Sequence, residues 1–169
     1  MQKILPGIAA ALALAAPALV AANTKTANFA VKATLLKSCS VHAAAVAFGA
    51  YTPGGGPITN AGSAVTLNCT RNTTYTVALN RGSTAGGTIA QRLMGNGANK
   101  LEYNLYTTAA LTTVWGNGTG TSVTQAGTGA GMSVAATPYT LYAELPDNAA
   151  NKNVPPGAYT DTVTVTVTY

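Results

Sequence analysis

A chain of 169 residues is long enough to bury one core and hardly two. With 47% hydrophobic and only 8% charged residues, it is excluded from the disordered and coiled-coil classes. The net charge of +5 is carried by scattered side chains, with no basic run and no aromatic interleaving around Arg71, Arg81 or Arg92; this is the pattern of a solvated surface, and it argues against a nucleic-acid partner.

Residues 1–22 read as a secretory signal peptide: Lys3, then an Ala/Leu-rich run broken by Pro6, Gly7 and Pro17, then small residues before a cut after Ala22. The competing reading is a retained membrane anchor. Residues 23–38 follow as a separate segment. Ala27, Phe29, Val31, Ala33 and Leu35 alternate onto one face, with Asn28, Lys32 and Thr34 on the other. A short strand is then expected from Ser40 to Phe48 or Gly49, and a Gly/Pro loop over residues 52–62. Val65, Leu67 and Cys69 mark the next strand, and Tyr75, Val77 and Leu79 another. A loop with a short strand around Ile89 to Met94 leads to a strand with Leu101, Tyr103 and Leu105 on one face. A short strand and turn are expected near Trp115, then a mobile loop from Gly116 to Gly131, a strand over 137–145 and a loop over 146–157. The last segment alternates most strictly: Val163, Val165 and Val167 against Thr162, Thr164, Thr166 and Thr168. Six or seven strands separated by turn signals predict an all-β sandwich.

Chemistry-bearing residues are few. The acids after the signal peptide are Glu102, Glu144, Asp147 and Asp161, and His42 is the single histidine. No nucleophile elbow, zinc-protease motif or phosphate-binding loop is present, so neither an enzyme nor a cofactor is expected. Glu102 and Glu144 are candidates for a carboxylate pair, but each lies opposite the apolar face of its strand, as a solvated residue does. In an exported chain, Cys39 and Cys69 are expected to form a disulfide. The rival is a metal site built on Cys39-Ser-Val-His42 with Cys69, three ligands without a fourth. Asn68, Asn72 and Asn117 begin glycosylation sequons that carry meaning only in a eukaryotic secretory host.

Several stretches fall together in order: "CSVHAAAVAFGAY", "VTLNCT", "YTVALNRG", "LEYNLY", "VWGNGTG" and the closing "PPGAYTDTVTVTVTY" with its Gly-x-Tyr-x-Asp strand. From about Phe29 to Tyr169 the chain resembles the spore coat protein U domain family, whose members include subunits (pilins) of archaic chaperone–usher pili. The resemblance implies an incomplete immunoglobulin-like β-sandwich over residues 39–169, lacking its last strand and completed by a donated one. It implies three partners: a periplasmic chaperone, an outer-membrane usher, and other pilin subunits joined head to tail. It further implies export through the periplasm to the cell surface, with roles in adhesion and biofilm formation. Residues 23–38 become a donor segment running into the first strand, with Ala27, Phe29, Val31, Ala33 and Leu35 as donor positions and the first strand as the alternative place for Leu35. Val163, Val165, Val167 and Tyr169 become the acceptor groove. A tip adhesin gripping a surface or glycan, and a structural protein of a spore or cyst coat, are the alternatives.

Overall fold

The computed structural model describes residues 22–169. The expected signal peptide, residues 1–22, lies outside the described residues but for Ala22. Residues 22–34 carry no regular secondary structure and are exposed.

The remainder folds as eight strands and one helical turn: β1 (Cys39–Ala43), β2 (Ile58–Cys69), β3 (Thr74–Leu79), β4 (Arg92–Asn96), β5 (Asn99–Tyr106), β6 (Gln125–Thr128), β7 (Thr137–Leu145), α1 (Ala149–Lys152) and β8 (Val165–Thr168). They form an antiparallel five-stranded sheet, order β1-β2-β7-β5-β4, and an antiparallel three-stranded sheet, order β6-β3-β8. Alternation explains the layering. Tyr75, Val77 and Leu79 of β3 point inward, while Thr74 and Thr76 point out. Val65, Leu67 and Cys69 of β2, Tyr103 and Leu105 of β5, and Leu141 and Ala143 of β7 meet them in one core. Trp115 fills its centre and donates its indole N–H to the Val77 carbonyl at 3.0 Å. A buried indole needs such a partner.

Four expectations change. β1 stops at Ala43, because the chain from 44 to 51 leaves β2 and takes no regular ladder. β2 starts at Ile58, inside the expected loop, since a β-bulge between Ala61 and Ser63 absorbs the extra residue and keeps it paired with β7. The expected loop from Gly116 to Gly131 contains β6, which supplies the second neighbour that β3 requires. The loop over 146–157 contains α1, capped by the Asn148 side chain, which accepts from Asn151 N. The Asn151 carboxamide is itself buried. It accepts from Glu102 N at 2.7 Å and donates to Glu102 O at 3.0 Å and Pro146 O at 2.7 Å, in the manner of a neighbouring strand.

Arg92 is a further correction. Far from being solvated, it is 0% exposed. Its guanidinium donates to the carbonyls of Asn80 (3.0 Å), Ile89 (3.4 Å) and Trp115 (2.8 Å) and to Asn104 Oδ1 (2.6 Å). Burial lowers its pKa from 12.5 to about 10, against the opposing influence of Tyr103 and Asp161, so it stays charged at neutral pH.

Candidate functional site

The final stretch of chain crosses between the sheets. Thr160 bonds to Gly95 of β4, N to O at 3.1 Å and O to N at 2.8 Å, on the edge of the larger sheet. Five residues later β8 begins its pairing with β3 in the smaller one. Among the described residues, β8 is paired on one side only, and so is β1 at the other rim. Between these two edges the sandwich is open.

Two adjoining cavities follow this opening, one against β1 and β8, the other beyond them, between the chain after β1 and the chain before β8. The smaller, about 450 Å³, lies among Ala43, Val65, Leu79, Leu105, Val163 and Val165. The larger, about 740 Å³, lies among Tyr51, Pro53, Leu101, Leu145, Val154 and Ala158. Val46, Phe48, Met94 and Tyr159 line both and form a sill between them. The walls are predominantly apolar, with Thr160, Asp161 and Thr162 among the polar groups of the smaller cavity, so the groove is a strip of core without its cover. Val41 carries the same signature. It opposes buried Leu67 in the β1–β2 register, and therefore faces inward, yet is 45% exposed.

Two carboxylates hold the walls. Asp161 Oδ1 accepts from the backbone N and hydroxyl of Ser83 (2.9 and 3.0 Å) and of Thr84 (both 2.9 Å), and Oδ2 accepts from the Tyr103 hydroxyl at 2.6 Å. Burial pushes the Asp161 pKa up, but these hydrogen bonds outweigh it and hold it below the ordinary value. Burial, with Asp161 beside it, raises the Tyr103 hydroxyl. Tyr103 in turn meets Phe48 edge-on, with centroids 6.1 Å apart. Gly82 makes room for this anchor: it sits at φ +92°, and a Cβ there would overlap the Asp161 carboxylate. Gly157 likewise leaves space for the Asn96 side chain, and the Tyr159 hydroxyl donates to Pro155 O at 2.7 Å. The Gly-x-Tyr-x-Asp stretch therefore builds one wall of the groove. At the far end Asp147 accepts from the Tyr51 hydroxyl (2.6 Å), Gly54 N (3.0 Å) and Gly56 N (3.1 Å), and pairs with Lys152 at 3.3 Å. The Tyr51 hydrogen bond, with the backbone N–H groups, lowers its pKa to about 2.

Of the expected groove residues, Val163 and Val165 line the smaller cavity and Val167 packs on the core beside them. Tyr169, 52% exposed, lies at a separate shallow concavity with Thr74, Thr128 and Thr168. Cys39 and Cys69 are bonded, S–S 2.01 Å, across the first register pair of β1 and β2. Their sulfurs are thereby removed as metal ligands, and among the described residues no three His, Cys, Asp or Glu side chains converge. Glu102 and Glu144 do not oppose each other: Glu144 faces Asn104 in the register and accepts from the Tyr106 hydroxyl at 3.3 Å, while Glu102 accepts from Asn148 Nδ2 at 2.6 Å. Ala27, Phe29, Val31, Ala33 and Leu35 are all exposed, with Phe29 at 87%, Val31 at 83% and Leu35 at 88%. Sequence reasoning missed Val41, Val46, Phe48, Met94 and Tyr159. Only the paired-strand register, or the convergence of three distant segments, reveals them.

The family described as Spore Coat Protein U domain matches residues 25–166. Protein U of Myxococcus xanthus is 33% identical over 185 residues, an alignment covering 100% of this chain and 98% of that protein. Among solved structures, similarity extends to a chain in the crystal structure of the CsuC–CsuE chaperone–tip adhesion subunit pre-assembly complex from archaic chaperone-usher Csu pili of Acinetobacter baumannii. There the TM-score is 0.53 at 25% sequence identity, covering 80% of this chain. This chain spans 40% of the length of that one. The architecture is thus an all-β, incomplete immunoglobulin-like sandwich of the kind found in chaperone–usher subunits.

Proposed function

The chain belongs to the Spore Coat Protein U domain family, and from that premise we propose that it is a structural subunit of a chaperone–usher pilus, assembled by donor-strand exchange. The observation that carries this reading is the uncovered strip of core that starts between β1 and β8 and continues between the chain after β1 and the chain before β8, in a chain that also presents an exposed alternating segment. A strand laid in the groove would pair with the free edge of β8 and bury its alternate side chains. A periplasmic chaperone supplies that strand first. At the outer-membrane usher, residues 23–38 of another subunit replace it. Extended, these residues reach at most about 53–58 Å, enough to cross a domain. Each apolar side chain buried contributes roughly 1.5–3 kcal/mol, and each ladder hydrogen bond roughly 0.5–1.5 kcal/mol. The contact is heterologous and does not close, so it propagates into a fibre. The role is mechanical rather than catalytic, and the fibre serves attachment and biofilm formation at the cell surface.

The test is Phe29→Asp combined with Val31→Asp. The chaperone–subunit complex is expected to form at normal yield while the oligomer ladder on unheated gels disappears. If instead the two positions belong to the first strand of a self-contained sandwich, complex and ladder vanish together, and the proposal fails.

One observation favours a second reading, a subunit of a surface coat. The likeness to Protein U runs the length of both chains, whereas the pilus-derived structure is matched over less than half. Electron microscopy of cells with and without the gene distinguishes the two, as loss of fibres or loss of a layer.

A further inference from the structure

The groove is divided in two: one cavity, a sill of four residues that line both, and a second cavity. The sill is held from both sides. Phe48 is braced edge-on against Tyr103, whose hydroxyl is fixed by Asp161, and across the gap the Tyr159 hydroxyl is tied to Pro155 O. A strand crossing such a profile needs a small side chain over the sill and larger ones about 6.8 Å to either side, the spacing of alternate residues on one strand face. The apolar face of residues 23–38 offers this pattern once. Ala33 stands between Val31 and Leu35, whereas Ala27 has Phe29 on one side and Lys25 on the other.

We propose that Phe48 sets the register of assembly: Ala33 of a second copy seats over the Phe48 sill, and its Val31 and Leu35 drop one into each cavity. The assignment rests on the donor-strand reading above. It holds for either running direction of the strand, because the pattern large–small–large reads the same both ways. Phe48 is then a specificity-determining residue. A subunit whose segment carries a bulky residue at the central position is refused by steric conflict with a fixed ring, which is how an apolar groove rejects partners that it would otherwise bind.

The test places the same phenylalanine at three positions of the full chain. Ala33→Phe is expected to lower the oligomer ladder roughly tenfold or more, the scale of overpacking a closed core. Ala30→Phe, on the opposite face, and Ala27→Phe, beyond the sill, are expected to assemble as the parent does. Adding Phe48→Ala to Ala33→Phe is expected to restore the ladder by returning the volume; where that variant accumulates poorly, Phe48→Leu serves instead. Normal assembly of Ala33→Phe, or a block confined to Ala27→Phe, overturns the register while leaving donor-strand exchange standing. A ladder that persists when Phe29 and Val31 are both Asp strikes the donor-strand reading itself.

Discussion

Asp147 concentrates much of what single residues do in this domain. One carboxylate gathers a tyrosine hydroxyl, two backbone amides and a lysine, and so pins the 51–56 loop at the end of the groove. Its pKa is lowered from 3.8 to about 2, chiefly by the Tyr51 hydroxyl and the backbone amides. The folded state therefore prefers the ionised form. The stabilisation is complete above the unfolded pKa, near 4, and is lost as pH falls through about 2. Urea unfolding of the parent and of Asp147→Asn should differ most at about pH 5, and the difference should shrink steadily toward about pH 2. A gap that widens on acidification would assign the effect to another group. Arg92 lies at the opposite extreme, a buried cation satisfied by three carbonyls and one carboxamide. In the sequence it is one more scattered base. No local pattern distinguishes an arginine that will close over a Trp115 carbonyl from one that will face water.

At the scale of elements, β3, β5, β7 and β8 were legible because each alternates apolar and polar residues over a paired strand. β6 was not. Its four residues, Gln-Ala-Gly-Thr, hold no large apolar side chain, and Gly127 is there because the Tyr75 and Tyr139 hydroxyls occupy the space a Cβ would need. α1 is too short to display a helical period, and its buried residue is an asparagine that serves backbone groups rather than a core. The groove was half legible for the same reason. Val163 and Val165 follow from alternation, but Phe48, Met94 and Tyr159 come from three segments that only the tertiary fold brings together. Val165 opposes Leu79 in the β3–β8 register and lines the smaller cavity. Val165→Asp should lower the accumulated level of the protein sharply, since an unpaired charge in that wall costs several kcal/mol. Thr164→Asp, one residue away on the exposed face, should leave the level unchanged on an immunoblot. Equal levels for the two would mean that the Val face is not core.

For the molecule as a whole, a sandwich with an uncovered strip has a stability that depends on what fills it. A synthetic peptide of residues 23–38 should raise the melting temperature of the full chain, and the rise should grow with peptide concentration. At about a hundredfold excess over Kd the gain is roughly 2.7 kcal/mol. For a domain of this size that corresponds to a shift on the order of 10 °C. The same peptide with Asp in place of Phe29 and Val31 should give no shift. A shift of equal size from both peptides would show that sequence-independent binding, not filling of the groove, is responsible.

The position of the disulfide acquires a different meaning once tension is considered. In a head-to-tail fibre, load enters each subunit along residues 23–38 and arrives at Ser38. Ser38 is bonded to Thr70 through backbone and side chain, and the next residue, Cys39, is joined covalently to Cys69. A pull that would otherwise peel β1 off the sheet edge, one rung at a time, is handed at its first residue to β2. That strand is held along nearly its whole length by β7, so the force is met as shear across many bonds loaded together. One bond between two sulfurs thus decides whether the subunit behaves under load as a zipper or as a rivet.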